Sequence, residues 1–182
     1  FSTVQKTWQD SIFYKEFIFG HDNDGGVTNT LAVYKGDTPK ATVPNLDKVS
    51  DLQFVAKSDK AFYFFALVKK QYKKDSIYTI YTTNGGDTWT TAHTSLDAEG
   101  YQIMEVKNGP EQNFVFGGYN NVRGYKAVAF AFYVNEKSIV GTAPAPYKLN
   151  DNIVDFDVTF IEGTRNVIVV AGVEYAKQAT FL

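Results

Sequence analysis

The chain has 182 residues and a formal charge of −2 at pH 7, from 18 basic and 20 acidic residues. Only Arg123 and Arg165 are arginine, and a nearly neutral chain with so few arginines lacks the field that gathers nucleic acid. The absence of cysteine excludes disulfides, thiolate nucleophiles and cysteine metal sites. Aromatic residues make up 16% of the chain, with 15 Phe and 12 Tyr, and this usage predicts an all-β protein.

Strand-like segments recur in groups of four along the chain. The first group is FSTVQKTWQ, SIFYKEFIFG, TNTLAVYKG and KATVPNL. The second is DLQFVAKSDK, AFYFFALVKK, SIYTIYTT and WTTAHTSL, and the third is QIMEVKNGPEQ, NFVFGGYNN, KAVAFAFYV and SIVGTAPAPYKL. The fourth has DFDVTFIEGTR, NVIVVAGVEYA and KQATFL. The last three groups begin at Asp51, Gln102 and Asp155, which gives a period of 51 to 53 residues.

A unit of four antiparallel strands repeated about every 50 residues is typical of β-propeller blades. We predict one partial propeller over residues 1–182, with approximate blades 1–48, 49–100, 101–152 and an incomplete 153–182. About three and a half blades would leave two sheet faces exposed. We therefore expect the remainder of the propeller to come from the same precursor or from another chain. A β-sandwich with regularly spaced strands is the alternative.

The segment IYTTNGGDTWTTAH, residues 80–93, predicts a tight turn between the third and fourth strands of the second group. An Asn side chain at position 84 accepts hydrogen bonds from backbone donors, and Gly85 and Gly86 permit positive φ. The Thr88 hydroxyl ties the far side of the turn, and Trp89 packs its ring between adjacent sheets. We expect this turn to hold the fold together and to perform no catalysis.

The pattern Thr82-x-Asn84-x-Gly86-x-Thr88-Trp89 resembles the Asp-box turn of sialidase-type and sortilin-type propellers, with Asn84 in place of the usual Asp. YKGDTPKAT and YVNEKSIVG look like degraded copies of it in the first and third groups. Sialidases hold the substrate carboxylate with three arginines, and this chain has two. Residues 62–106 are instead similar to the sortilin family of vacuolar protein sorting receptors.

The resemblance implies a non-enzymatic propeller that captures peptide or protein cargo, in the lumen of the endosome, Golgi or vacuole or outside the cell. No catalytic residue and no cofactor are predicted, and a membrane is reached only through segments outside this chain. The alternative is a glycan-binding propeller or a sialidase-like glycoside hydrolase, which needs two carboxylates across one cleft. Asp155 and Asp157 share one strand face, which keeps this alternative open.

Propeller ligands usually bind loops that connect the second and third strands of each blade, and function concentrates in loops on rigid scaffolds. These segments are GHDNDGGVT, KKQYKKD and YNNVRG. They predict a ligand-binding set of His21, Asp22, Asp24, Tyr72, Lys73, Tyr119, Asn120 and Arg123, with solvated turns as the alternative. HDNDGG, from His21 to Gly26, begins like a calcium loop, but Val33 stands where the closing Glu belongs, so a hairpin turn is favoured and no metal site is predicted.

Overall fold

The computed structural model describes residues 8, 10–22, 29–69, 73–96, 100–109, 114–120, 127–134, 139–142, 147–149, 153–164 and 167–173. Regular structure in these ranges consists of antiparallel β-strands, with no helix. In particular, no described residue belongs to a helix long and apolar enough to cross a membrane. The chain forms two compact units, Phe1–Glu99 and Gly100–Leu182. The predicted all-β class is therefore confirmed.

The first unit contains two four-stranded antiparallel sheets. Sheet 1 has the order β1-β2-β3-β4, and sheet 2 has the order β5-β6-β7-β8. Their strands are β1 (Asp10–Tyr14), β2 (Phe17–Asp22), β3 (Asn29–Lys35), β4 (Thr38–Leu46), β5 (Lys48–Ala56), β6 (Phe62–Lys69), β7 (Ser76–Thr82) and β8 (Thr90–Ser95). Each strand pairs with its neighbour in sequence, so each sheet is a meander.

The first hairpin differs from the sequence-based prediction. We expected FSTVQKTWQ and SIFYKEFIFG to be two strands, but SIFY belongs to β1 and FIFG to β2, with Tyr14 paired to Phe17. The two-residue loop between them is Lys15–Glu16, and Lys15 has φ 51°, as such loops require at their first position. Because neither loop residue is Gly or Asn, this turn has no usual signal in the sequence. Residues 1–7 lie outside the described part.

Sheets 1 and 2 pack against each other through aromatic rings. Phe19 stacks on Phe64 with ring centroids 4.8 Å apart, and Phe17 lies 5.8 Å from Phe62. The buried cluster at this interface comprises Phe17, Phe19, Leu31, Val33, Val49, Leu52, Phe62, Phe64, Ala66, Val68 and Ile80. Burying each large apolar side chain contributes about 1.5–3 kcal/mol, so this interface is a major source of stability for the first unit.

Equivalent strands of the two sheets lie next to each other and run in the same direction. Asp10 lies near Asp51 at one end of β1 and β5, and Tyr14 packs on Phe54 with centroids 4.4 Å apart further along the same strands. The ring pairs between β2 and β6 follow the same direction. At the other edge, β4 approaches β8. Sheet 2 is therefore stacked on sheet 1 as a repeat of it.

One residue, Asp47, connects the last strand of sheet 1 to the first strand of sheet 2. Asp47 approaches Tyr78 on β7. Burial raises the pKa of Tyr78, and the negative charge of Asp47 raises it further. The chain therefore passes close to β7 on its way from the outer edge strand β4 to the opposite edge strand β5.

The second unit contains sheet 3, with the order β9-β10-β11-β12, and a two-stranded sheet 4, formed by β14 and β15. The strands are β9 (Tyr101–Asn108), β10 (Phe114–Asn120), β11 (Ala127–Val134), β12 (Ile139–Thr142), β13 (Tyr147–Leu149), β14 (Ile153–Phe160) and β15 (Val167–Val173). The predicted single strand SIVGTAPAPYKL is instead two short strands, β12 and β13, which both pair with β11. The two prolines between them lack the amide that a ladder needs. KQATFL lies outside the described residues.

The first strands of sheets 2 and 4 share an irregularity. In β5 the pairing register shifts between Val49 and Asp51, and in β14 it shifts between Ile153 and Asp155. Each strand therefore carries one extra residue immediately before an aspartate, as in a β-bulge. These two aspartates are the positions that the repeat in the sequence aligns.

Candidate functional site

The turn between β7 and β8, residues 82–89, is held by its own side chains, and we call it the box turn. Thr82 Oγ1 donates to Asn84 Oδ1 at 2.9 Å and accepts from Gly86 N at 2.9 Å. Asn84 Oδ1 also accepts from Thr88 N at 3.0 Å, while Asn84 Nδ2 donates to Thr88 Oγ1 at 2.9 Å. Gly85 and Gly86 have φ 76° and 100°, which favour glycine. The polar groups of the turn thus bind one another.

The indole of Trp89 anchors the box turn to the interface between sheets 1 and 2. Trp89 Nε1 donates to Gly86 O at 3.0 Å. Its ring lies edge-on to Phe17 at 5.1 Å and to Phe62 at 5.7 Å. A Cβ added at Gly86 would lie 2.2 Å from Phe17 Cζ, so the backbone can approach the ring only without a side chain.

Neighbouring turns are tied together at this end of the first unit. Gly85 N donates to Lys60 O at 2.8 Å, which joins the box turn to the β5–β6 turn. Lys15 Nζ, on the β1–β2 turn, donates to Asp59 O at 2.6 Å. These contacts leave the box turn engaged in holding strands and sheets, which is the role expected from its sequence.

The segments predicted to bind ligands leave the sheets at the opposite end, which we call the loop end. Strand β6 runs from Phe62, beside Trp89, to Lys69, a distance of about 23 Å at 3.3 Å per residue. Strand β2 runs in the same direction, from Phe17 to Asp22. The β2–β3 and β6–β7 connections therefore begin at one end of the unit, away from the box turn.

His21 and Asp22 lie in β2 and not in the loop where the sequence placed them. The His21 side chain is 6% exposed, and its Nε2 forms a 2.6 Å hydrogen bond with Asn29 Oδ1 at the start of β3. This bond joins the two strands at the base of their connection. The neighbouring candidate Asp24 falls outside the described residues.

A buried ion pair closes the base of the β6–β7 connection. Lys69 Nζ lies 2.7 Å from Asp75 Oδ2, and the Asp75 side chain is 1% exposed. The backbone carbonyl of Asp75 accepts from Leu96 N at 2.8 Å, which ties the same point to the end of β8. Lys73 and Lys74 lie on this base and are exposed. The β6–β7 connection therefore exposes the ammonium groups of Lys73 and Lys74 next to the Lys69–Asp75 ion pair.

The Ser76 hydroxyl lies directly after this ion pair, at the start of β7. It is fully buried. Of the buried side-chain groups in the described residues, it is the one without a hydrogen-bond partner. A buried hydroxyl without a partner costs about 1–3 kcal/mol. Sequence reasoning missed this feature because the burial of Ser76 depends on the pairing and packing of β7.

Among the described carboxyl groups, Asp51 has the pKa that is raised most above its ordinary value. Burial raises its pKa from 3.8 to about 6. Hydrogen bonds from Gln53 Nε2, at 3.1 Å, and from the Leu52 backbone lower the pKa, and the charge of Asp10 raises it. A carboxyl group with this pKa exchanges its proton near neutral pH. The sequence pointed to Asp51 only as the start of a strand, since its burial arises from pairing and from the nearby β1.

Asp157, one of the two acidic residues considered for hydrolysis, lies beside a lysine that also pairs with Glu105. Lys107 Nζ lies 3.3 Å from Glu105 Oε2 and 4.0 Å from Asp157 Oδ1. The Asp157 side chain is 64% exposed. An exposed ion-pair network of this kind contributes little to stability.

The remaining candidates lie either in a strand or outside the described residues. Tyr119 and Asn120 lie in β10, paired with Ala129 and Val128, and not in a loop. Tyr72 and Arg123 lie outside the described residues. Of the predicted ligand-binding set, the structure places His21, Asp22 and Lys73 at the loop end of the first unit.

No group of three or more histidine or acidic side chains in the described ranges is positioned to hold a metal ion. Comparison of the chain with protein-family models, with curated proteins and with solved structures found no match. The loop end and the box turn are therefore the basis for a functional proposal.

Proposed function

We propose that this chain is a β-propeller region of the sortilin-like receptor type, which binds peptide or protein ligands at its loop end and catalyses no reaction. The observation that carries the proposal is the division of the first unit into two ends. The box turn occupies one end, and charged connections from successive sheets leave the other. On this proposal the protein acts in the lumen of the endosome, Golgi or vacuole, or outside the cell.

The arrangement of sheets 1 and 2 is one that the proposed propeller requires, and a β-sandwich is equally consistent with it. Neighbouring propeller blades are related by a rotation about the ring axis, so equivalent strands stack in the same direction. Sheets 1 and 2 have this relation, and Asp47 links the last strand of one to the first strand of the next. The bulge shared by β5 and β14 supports a structural repeat that extends to sheet 4.

The chemistry of the loop end favours a peptide segment with acidic side chains. Lys73 and Lys74 are exposed on a connection whose base is fixed by the buried Lys69–Asp75 pair. Side chains next to a fixed base lose less entropy on binding, so their charges contribute more of their interaction energy to affinity. The His21–Asn29 hydrogen bond fixes the base of the neighbouring connection in the same way.

A binding assay on the purified chain tests this proposal. The immobilised chain is exposed to a displayed library of random peptides and, in parallel, to a glycan array. We expect enrichment of acidic peptides. The double variant Lys73→Glu, Lys74→Glu should weaken their binding by at least about tenfold, which corresponds to about 1.4 kcal/mol. The double variant Lys40→Glu, Lys60→Glu is the matched control, because both lysines are exposed away from the loop end and the change in charge is the same.

The two variants separate the possible outcomes. Loss of peptide binding in the Lys73→Glu, Lys74→Glu variant alone supports a peptide site at the loop end. Equal loss in the control double variant indicates attraction by net charge and contradicts that site. Binding to glycans with no peptide enrichment contradicts the peptide-receptor proposal.

Asp51 favours a second candidate function, a glycoside hydrolase. Its pKa of about 6 suits a general acid, and the carboxyl group of Asp10 lies close enough to raise that pKa. A panel of fluorogenic aryl glycosides tests this candidate. Hydrolysis that Asp51→Asn abolishes would support the hydrolase, and no turnover of any member would contradict it.

A further inference from the structure

We infer that Asn84 is a deamidation site which the box turn protects in the folded protein and which becomes reactive when the turn opens. Asn84 is followed by Gly85, and an Asn–Gly sequence presents the least hindered backbone nitrogen to the asparagine side chain. The inference concerns a covalent modification of the chain and is independent of the ligand proposed above.

The reaction needs only water. The backbone nitrogen of Gly85 loses its proton and attacks Cγ of Asn84, a new N–Cγ bond forms, and the side-chain amide leaves as ammonia. The product is a five-membered succinimide. Water then opens the succinimide at either carbonyl, which leaves an aspartate or an isoaspartate at position 84.

The attacking nitrogen is occupied in the folded turn. Gly85 N donates to Lys60 O at 2.8 Å, so its proton points at a carbonyl oxygen on another turn. Removing that proton places a negative nitrogen against a carbonyl oxygen, which is unfavourable. The β5–β6 turn therefore suppresses the first step of the reaction.

The electrophile is held as well. Asn84 Oδ1 accepts from Thr82 Oγ1 at 2.9 Å and from Thr88 N at 3.0 Å, and Asn84 Nδ2 donates to Thr88 Oγ1 at 2.9 Å. Rotating Cγ towards the nitrogen of Gly85 breaks these bonds together. Deamidation therefore requires the turn to open, and its rate reports how often the turn opens.

The two products have different effects on the turn. Aspartate keeps an oxygen where Asn84 Oδ1 now accepts, and the Thr88 hydroxyl can turn to donate to the second carboxylate oxygen. Isoaspartate adds a methylene group to the backbone and moves the carboxylate off the position that Thr82 and Thr88 bind. The aspartate product closes the box turn again, whereas the isoaspartate product holds it open.

Peptide-mapping mass spectrometry measures the reaction at each asparagine during incubation at pH 8. The chain is incubated folded and in urea. We expect Asn84 to deamidate about 100-fold more slowly in the folded chain, which corresponds to about 2.7 kcal/mol. The second Asn–Gly sequence, Asn108–Gly109, is monitored in the same digest, and its rate in urea normalises the chemistry. A ratio below about tenfold at Asn84 overturns the inference.

Thr88→Ala tests the side-chain clamp, with Asp87→Ala as the matched control at the neighbouring exposed position. We expect Thr88→Ala alone to accelerate deamidation of Asn84 by about tenfold, or about 1.4 kcal/mol, while Asn108 is unchanged. Equal rates in the two variants overturn the clamp. If Thr88→Ala fails to fold, hydrogen exchange at the Gly85 amide of the unaltered chain decides, and free exchange there overturns the inference.

Discussion

Gly85 and Gly86 allow a matched test of how closely the box turn packs against the sheet interface. Both glycines have positive φ, 76° and 100°, so a β-carbon at either position strains the backbone. They differ in their surroundings. A Cβ at Gly85 meets nothing within 4 Å, whereas a Cβ at Gly86 lies 2.2 Å from Phe17 Cζ. Gly85→Ala therefore measures backbone strain, and Gly86→Ala measures strain together with a steric clash.

The expected magnitudes follow from these geometries. A non-glycine residue in the left-handed region costs roughly 1–2 kcal/mol, which is the expected effect of Gly85→Ala. Overpacking a filled core adds typically about 1–3 kcal/mol. Phe17 cannot swing away freely, because it is 3% exposed and its ring lies between Trp89 and Phe62. We therefore expect Gly86→Ala to destabilise the chain by about 2–5 kcal/mol.

Urea denaturation followed by far-UV circular dichroism measures both free energies of unfolding. Gly86→Ala should be less stable than Gly85→Ala by about 1–3 kcal/mol. In a thermal melt this difference lowers the melting temperature of Gly86→Ala by about 2–4 °C per kcal/mol. Phe17→Leu in the Gly86→Ala background should recover part of the loss, because the shorter side chain leaves room for the methyl group. Equal stability of the two single variants would refute the close packing of Gly86 on Phe17.

Four other changes have defined outcomes. Asp51 has a folded pKa of about 6 against 3.8 in the unfolded chain, so its ionisation costs stability, a cost absent below pH 3.8 and complete above pH 6. Asp51→Asn should thus raise the free energy of unfolding at pH 8 by about 1–3 kcal/mol and leave it unchanged at pH 3.5, by denaturation at both pH values. Asn84→Asp should change stability by less than about 0.5 kcal/mol. Asn84→Ala should cost about 1–2 kcal/mol by removing the hydrogen bonds with Thr82 and Thr88, and equal losses would contradict the hydrogen-bond assignment. Lys69→Met should cost about 3–5 kcal/mol, because it removes the ammonium group beside the buried Asp75 charge. Adding Asp75→Asn should recover much of that loss. If the two single losses simply add in the double variant, the pair is not coupled. Ser76→Ala should be neutral or stabilising by up to about 1 kcal/mol in the same assay, and a clear loss would reveal a hydrogen bond at the hydroxyl.

Sequence reasoning succeeded where the signal is local. The continuous apolar run in AFYFFALVKK and the aromatic and β-branched residues of SIYTIYTT located β6 and β7, because such residues favour strands. The Asn84–Gly85–Gly86 sequence predicted a turn in which the Asn84 side chain accepts from the backbone, since its donor Thr88 N lies four residues away. The Lys15–Glu16 turn was missed because positive φ at lysine has no compositional signal.

The features of the loop end depend on contacts between distant residues. The ion pair of Lys69 with Asp75 lies at the end of β8, where Leu96 N donates to the backbone oxygen of Asp75. The pKa of Asp51 is raised mainly by burial, to which the charge of Asp10 adds from some 40 residues earlier in the chain. His21 is buried on the same face of β2 as Phe17 and Phe19, which pack on sheet 2. The sequence shows only a polar residue beside a glycine-rich segment, and it does not show this burial. Such properties are set by tertiary packing, which local patterns do not encode.

The meander order of sheet 1 has a consequence for synthesis on the ribosome. All its pairings join consecutive strands, so the sheet can form as soon as Leu46 has emerged. Its apolar face, with Phe19 at the centre, is covered only when Phe64 follows 18 residues later. At 5–20 residues per second, the nascent chain carries that bare face for about 1–4 s. This interval is when a ribosome-associated chaperone would have a hydrophobic surface to bind.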